Sequence, residues 1–579
     1  MMAFPPALIM ILGALLIPLL PRSVRSIWTL SIPLLTLASI WTIVTNQPSV
    51  VAAEGIVFSG FELFPVVVHS FTPIFATIFA LAAFAGGLFA MTRKPWGELS
   101  AAYVYAGGAI GVTFSGDLIT LFFYWELMAV ASTLVVLFGG TDNSRRAALR
   151  YAVMHFLGGV FLIAGIGAWY VATNSVQITL LTEHLTALLN GGEWSIMNIG
   201  VVLMLLGILV NAGAPPFSAW LPDAYPESSP TGAVFLSAFT TKTAVFVLLT
   251  LFAGSSILIA IGLFMVFYGI IYAMLENDMR RILSYSIINQ VGFMITGIGI
   301  GTTMAQYGVA THAFCHIIYK ALLLMSAGSV VHMTGMRRCS DVGGLYHSMR
   351  LTTLCGIIGA LAISAFPFTS GFVSKSMITT AAGAEHLAIV WYCLVAASAG
   401  VFLHAGIKFP WFVFFQKDSG LRPKDPPLAM TLGMVLLAVL CIVPGVMPST
   451  LYWMLPEIPD YKSYTTEHVV SQLQLLLFGG LAFFVMLPML KRTLTISLDF
   501  DWGYRVFAGG ILKLCDRAIC FVGGGLRSGG YSLVQDIIRC VRFLHGPDGV
   551  LARNWAIAST VLYTTALLGI FLVIYYTTL

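Results

Sequence analysis

The 579-residue sequence predicts an all-α polytopic membrane protein with about sixteen transmembrane helices, and three observations carry that expectation. Charged residues make up 9% of the chain and hydrophobic residues 58%, where a soluble domain carries about 25% charged residues. Apolar runs of bilayer-crossing length recur from Pro5 to Tyr576, separated by short polar breaks. Basic residues collect in every second of those breaks. Together these exclude a soluble enzyme, a nucleic-acid binder and a disordered scaffold. The net charge of +5 is small for this length and bears on topology rather than on an acidic partner.

In chain order the candidate spans are 5–21, 27–46, 71–91, 100–116, 117–139, 148–170, 197–214, 230–253, 256–276, 283–302, 305–333, 351–382, 387–414, 428–447, 470–490 and 555–577. The first has no Lys or Arg ahead of it, unlike a signal peptide, and reads as a retained span. With the first loop assigned to the cytoplasm, that side collects 24 of the 29 basic residues. They run from Arg22, Arg25, Arg93 and Lys94 through Arg145, Arg146, Arg150, Arg280, Arg281, Arg337, Arg338 and Arg350 to Lys417, Arg422, Lys424, Lys491 and Arg492, with the rest between Arg505 and Arg553. Only Lys462 falls on the opposite side. A wrong span count would scramble this alternation, so both termini are expected outside a bacterial or archaeal cell membrane.

The seventh span runs into AGAPPFSAWLPDAYPESSP, and the twelfth contains Pro367 and Gly371. Such breaks are tolerated in lipid only where protein or a water-lined cavity satisfies the freed backbone. Two broken elements five spans apart suggest an inverted repeat of spans 4–8 and 9–13. The expected organisation is therefore spans 1–3 in 1–99, a first repeat in 100–253, a second in 256–414, spans 14 and 15 in 428–490, a lateral segment at 504–544 and an anchoring span at 555–577. The segment 504–544 spaces Arg505, Lys513, Asp516, Arg517, Arg527, Asp536, Arg539 and Arg542 among apolar residues, as an amphipathic surface helix does. Its glycines at 523–525 and 529–530 are expected to interrupt it.

The four remaining basic residues, Lys242, Lys320, Lys375 and Lys408, fall inside spans. A charge at the bilayer centre costs about 2.5–3.5 kcal/mol even on lenient scales, so such residues face the protein interior and mark ion or proton paths. Glu126 lies near the midplane, as does Lys242; they form either a structural ion pair or a coupled proton-handling pair. His312, His316 and Lys320, at i, i+4 and i+8, share one helical stripe and could relay protons. Lys375 follows the break at Pro367. Lys408 could belong to the path or snorkel to the headgroups, with His404 one turn away extending a path toward it. His155 reads as a packing residue. The eight cysteines are scattered, without CxxC pairs or histidines at metal spacing, so neither zinc nor an iron–sulfur cluster is expected, nor any other cofactor.

DLITLFFYWELM, PPFSAWLPDAYPE followed by TTKTAVFVLL, ENDMRRILSYSIINQVG, HAFCHIIYKALLLMSAG and FPFTSGFVSK, in this order, carry a family resemblance. The chain resembles the antiporter-like subunits shared by Mrp-type cation/proton antiporters, respiratory complex I and membrane-bound hydrogenases. The resemblance covers nearly the whole chain and implies a core of two inverted five-helix repeats. It implies that Glu126 is the family's fifth-helix glutamate and Lys242 its eighth-helix lysine. It further makes His312, His316 and Lys320 the eleventh-helix relay and Lys375 the twelfth-helix exit residue. Asn211 stands where the family usually has a lysine, and Ser218 where many relatives have histidine. An amide does not take up a proton in the working range, so either Glu126 pairs with another cation or this half does not pump in the usual way. The implied function is an ion-translocating subunit working beside other membrane subunits, most similar to the D-type subunit of a Na+/H+ antiporter. The alternatives are a subunit of an NADH:quinone oxidoreductase or hydrogenase, and a passive anchoring subunit.

Overall fold

The computed structural model describes residues 4–46, 55–58, 60–92, 96–488, 499, 501–546 and 557–578, in two compact units, Met1–Phe500 and Asp501–Leu579. Of the basic residues assigned to the cytoplasm, Arg93, Lys94, Lys491, Arg492 and Arg553 lie outside the described residues.

In the first unit the helices are α1 Pro6–Leu16, α2 Arg22–Asn46, α3 Thr72–Ala90, α4 Trp96–Phe114, α5 Leu118–Leu137, α6 Asp142–Thr173, α7 Thr182–Leu189, α8 Ile196–Ala212, α9 Trp220–Ala224, α10 Pro230–Ala238 and α11 Thr240–Leu251. They continue as α12 Ile257–Leu275, α13 Met279–Ile300, α14 Thr303–Thr334, α15 Arg350–Ile363, α16 Ser370–Ala384, α17 Ala388–Val401, α18 Leu428–Val446, α19 Ser449–Tyr452 and α20 Thr466–Met486. Each of the sixteen stretches expected as spans contains a helix. Among the described residues twelve helices are long and apolar enough to cross a membrane, counting α10 and α11 as one, and Pro6–Leu19, Ile196–Ala212 and Arg350–Ile363 are shorter apolar helices.

Local sequence sets the helix ends. Asp117 caps α5 by accepting from Thr120 N, and its second oxygen takes Phe64 N (2.7 Å), tying the β-hairpin Ile56–Phe58/Phe61–Leu63 to that helix. Thr141 and Ser144 form a reciprocal capping box on α6. Asp278 caps α13 through Arg280 N and Arg281 N, and Gly335, at φ 72°, ends α14.

Packing follows from small residues. A Cβ on Gly207 would lie 2.6 Å from Gly158 O, and one on Gly200 would lie 2.9 Å from Gly165 O, so α6 and α8 meet backbone to backbone. Gly262 and Gly292 do the same for α12 and α13. At the centre, α13, α14 and the α10–α11 pair are almost wholly buried, with α14 packed against α3, α10, α13, α15, α16 and α18. At the periphery α20 leaves Leu477, Phe478, Leu481 and Val485 exposed, which suits hydrocarbon rather than water. The chain is thus an integral, multi-pass membrane protein.

The second unit contains α21, Asp501–His545, and α22, Ile557–Thr578. Here one expectation is corrected: α21 runs 45 residues without a break through the glycines at 523–525 and 529–530. Each glycine costs about 1 kcal/mol of helix propensity but, unlike proline, neither clashes nor removes a donor, so the flanking turns carry the helix across.

Candidate functional site

Three helices are interrupted in the interior. Helix α8 ends at Gly213 (φ 75°), and the chain resumes as α9 after Pro215–Pro216. Between α15 and α16 the backbone turns through two non-glycine residues at positive φ, Ala365 (56°) and Phe368 (67°), a conformation costing on the order of 1–3 kcal/mol each. Gly371 is needed there, since a Cβ would come 1.9 Å from Ala362 O. The third break, at Phe239 between α10 and α11, has no proline or glycine to announce it. Two tyrosines enter the helical ladder: Tyr225 donates to Leu236 O (2.6 Å), and Thr240 N donates to Tyr105 Oη (2.7 Å). Both take groups that an unbroken helix would pair with each other.

Lys242 sits just past that break, fully buried. Its Nζ donates to Ser237 O (2.6 Å) and Thr241 Oγ1 (3.0 Å). On α14, His312, His316 and Lys320 are all buried along the stripe their spacing implies. Lys320 Nζ donates to Ser286 Oγ (2.8 Å). His312 Nε2 bonds Gln290 Oε1 (3.1 Å), which also accepts from Tyr319 Oη, and its Nδ1 lies 3.3 Å from Ser374 Oγ. Neither nitrogen of His316 has a hydrogen-bond partner. Its ring is close enough to Lys242, Lys320 and His312 for their charges to interact, as His312 is to Lys242 and Lys375. The structure therefore places Lys242, His312, His316, Lys320 and Lys375 together in the buried interior, with the rings of His312 and His316 6.3 Å apart between centroids.

Lys375 Nζ lies 4.3 Å over the Phe293 ring and makes no hydrogen bond. Beside it opens a cavity of about 550 Å³ lined by Thr379, Tyr461, Lys462, Glu467 and His468, among others. Tyr461, in the loop before α20, donates to Ser376 Oγ (2.8 Å), and burial raises its hydroxyl above the ordinary value, keeping it neutral.

Lys408 does not snorkel. It is buried in the π-helical turns Phe402–Lys408, and its Nζ donates to three carbonyls at the end of α12, those of Ala273 (3.0 Å), Met274 (2.6 Å) and Glu276 (2.6 Å). His404 is also buried, its Nδ1 donating to Gly400 O (2.8 Å), within electrostatic reach of Lys320, Lys375 and Lys408. At one end of the bundle the acidic residues of the DAYPE loop meet arginines: Asp223 takes Arg150 in a two-pronged pair (2.7 and 2.9 Å), and Glu227 takes Arg337 (3.0 Å).

Glu126 and Lys242, expected as a pair, form no ion pair among the described residues. Glu126 is half-buried on α5, with Oε1 unpartnered. Asn211 is buried on α8, and its Oδ1 accepts from His155 Nδ1 (2.7 Å). His155, read from the sequence as a packing residue, is a buried, hydrogen-bonded imidazole packed against the rings of Tyr151 and Trp220. Its partner Asn211 was not legible in the sequence, because residues 155 and 211 are far apart in the chain and meet where α6 and α8 pack.

Buried ionisable groups strung through interrupted helices define an antiporter-like membrane protein. Residues 115–403 match the family described as NADH:quinone oxidoreductase/Mrp antiporter, transmembrane, and the chain belongs to that family. It is 28% identical over 380 residues to the D-type subunit of a Na(+)/H(+) antiporter of Alkalihalophilus pseudofirmus, covering 63% of this chain and 76% of that one. It is 29% identical over 362 residues to the A/B-type subunit of a probable K(+)/H(+) antiporter of Rhizobium meliloti, covering 60% of this chain but 36% of that longer one. In fold it is similar to a chain of the Mrp complex from Dietzia sp. DQ12-45-1b, with a TM-score of 0.75 at 20% identity over 91% of this chain and 62% of that chain.

Proposed function

We propose that this protein moves protons across a bacterial or archaeal cell membrane as one member of a larger membrane assembly, exchanging them for Na+ or K+ in the manner of an antiporter D-type subunit. One observation carries the reading: His316, with both nitrogens unpartnered, lies buried on α14 one turn from His312 and one turn from Lys320, near enough to the buried Lys242 to feel its charge. A buried polar atom without a partner costs about 1–3 kcal/mol unless water reaches it. Glu126 Oε1, both His316 nitrogens, Lys375 Nζ and His404 Nε2 are all such atoms. An internal file of water linking titratable groups accounts for them together and is what proton transfer needs.

On this reading Glu126 takes up the proton, and Lys242 is the central exchanging group. His312, His316 and Lys320 pass the proton along α14, and Lys375 releases it toward the cavity at Lys462. His404 extends the file, while Lys408 anchors the end of α12. Sixteen crossings, with spans 4–8 and 9–13 as inverted repeats and both termini outside, give this file its two halves. The test is dissipation of a pH gradient by added Na+ or K+ in everted vesicles carrying the whole assembly, with Lys242→Ala as the inactive control.

The length of α21 favours a second reading, a proton-moving subunit of a quinone-reducing complex, in which a long lateral helix braces neighbours. Proton uptake driven by NADH, with no response to Na+ or K+, distinguishes it.

A further inference from the structure

We propose that His155 is a proton-carrying residue of the Glu126 half, standing in for the side chain that Asn211 does not supply, and that Asn211 is its positioning residue. This deepens the function proposed above and rests on it.

The geometry supports each part. Asn211 Oδ1 can only accept, so His155 Nδ1 carries the hydrogen between them, and Nε2 of the neutral ring holds a lone pair. That Nε2 is buried and without a protein partner. The ring is fixed by Tyr151 at 4.0 Å and by Trp220 at 4.5 Å between centroids, and Trp220 is itself held by its Nε1–H on Val210 O (3.0 Å). Glu126 meets the same helix: a Cβ on Gly159 would fall 1.9 Å from Glu126 Oε1, and Gly159 is one turn along α6 from His155, about 6 Å, a gap that water has to span. On the other side Tyr151 Oη lies 3.4 Å from Thr240 Oγ1, and the adjacent Thr241 hydroxyl accepts from Lys242 Nζ.

Glu126, His155, Tyr151, Thr240 and Lys242 thus mark a route from α5 to α11 in which water completes the steps from Glu126 to His155 and from Thr240 to Lys242. The other titratable groups around the ring are Tyr105 on α4, bonded to Thr240, Tyr225 beside Trp220, and Arg150 on α6, already paired with Asp223. In the transfer, protonated Glu126 gives its proton to Nε2 through water, leaving a carboxylate and an imidazolium. The imidazolium returns to neutral as the proton passes by way of the Tyr151 and Thr240 hydroxyls to the Lys242 amine. The number of protons is conserved, and each step runs in either direction.

The experiment is transport in everted vesicles carrying the complete assembly, with subunit content measured in parallel. His155→Gln keeps a donor for Asn211 but does not titrate, and transport falls to background at normal content. Asn211→Lys on that background returns a titrating group to the same pocket and restores transport. Asn211→Asp, tested alone, moves the pH profile up by on the order of one unit, because a carboxylate beside the ring favours the imidazolium; a purely structural contact would leave the profile in place. Wild-type transport in His155→Gln beside an inactive Lys242→Ala overturns this proposal and leaves the proposed function standing. Full activity in Lys242→Ala overturns that function itself. Should His155→Gln not assemble, the Asn211→Asp profile decides alone, an unmoved profile counting against the proposal.

Discussion

His155 Nδ1 on α6 donates to Asn211 Oδ1 on α8 across 2.7 Å, in a seam where glycines let the two backbones touch. The contact shows that Asn211 faces the protein interior, where a charge meets polar groups, and not hydrocarbon.

Asn211→Lys is therefore expected to reach the membrane in wild-type amounts, since the new ammonium meets His155 in the protein interior. An outward-facing lysine would cost about 2.5–3.5 kcal/mol or more. Quantitative immunoblots of isolated membranes check this. Loss of the Lys variant with retention of Asn211→Leu would show that the position belongs to the lipid face.

The glycine seam makes a prediction about stability. A Cβ on Gly207 would lie 2.6 Å from Gly158 O and 2.8 Å from Leu162 N, so Gly207→Leu forces α6 and α8 apart. Overpacking of this kind costs about 1–3 kcal/mol. A lower melting temperature of the purified protein in detergent, with reduced transport because His155 and Asn211 separate, is the expected outcome. An unchanged melting temperature would contradict the close approach.

Much of the architecture was legible in the sequence because hydrocarbon length and charge asymmetry leave few alternatives. The helical stripe of His312, His316 and Lys320 followed from spacing alone, and the break at Pro367 and Gly371 from residue chemistry. What stayed hidden needed contacts between distant segments. The interruption at Phe239 is made by Tyr105 and Tyr225 from other elements, and no local residue signals it. Lys408, placed at a helix end by counting, is buried because the carbonyls of α12 come to meet it. The glycines of α21 do not interrupt it, since a propensity penalty is not a steric stop.

The assigned topology can be read with single cysteines. Asn143 and Glu193 are both exposed, the first beside Arg145 and Arg146 and the second in a loop without Lys or Arg. With an impermeant thiol reagent added outside intact cells, Glu193→Cys is labelled above the parent level and Asn143→Cys is not. The opposite pattern would invert the orientation and with it the direction of the proton file.

Lys408→Met removes the donor from three carbonyls at the end of α12 without adding volume. A lowered melting temperature with transport per assembled complex well above that of Lys242→Ala is expected, since this lysine anchors a helix end. Equal loss of transport in both variants, with stability unchanged, would place Lys408 in the file instead.

On the proposed function Lys242, buried just past the break at Phe239 with its amine on Ser237 O, is the exchanging group. The most direct measurement is cation-elicited dissipation of a pH gradient in everted vesicles carrying the Lys242→Ala assembly. Alanine deletes the titrating amine and leaves no unpaired charge, so transport is expected to vanish while all subunits remain at wild-type content. Transport at the wild-type rate would show that Lys242 is not the exchanging group.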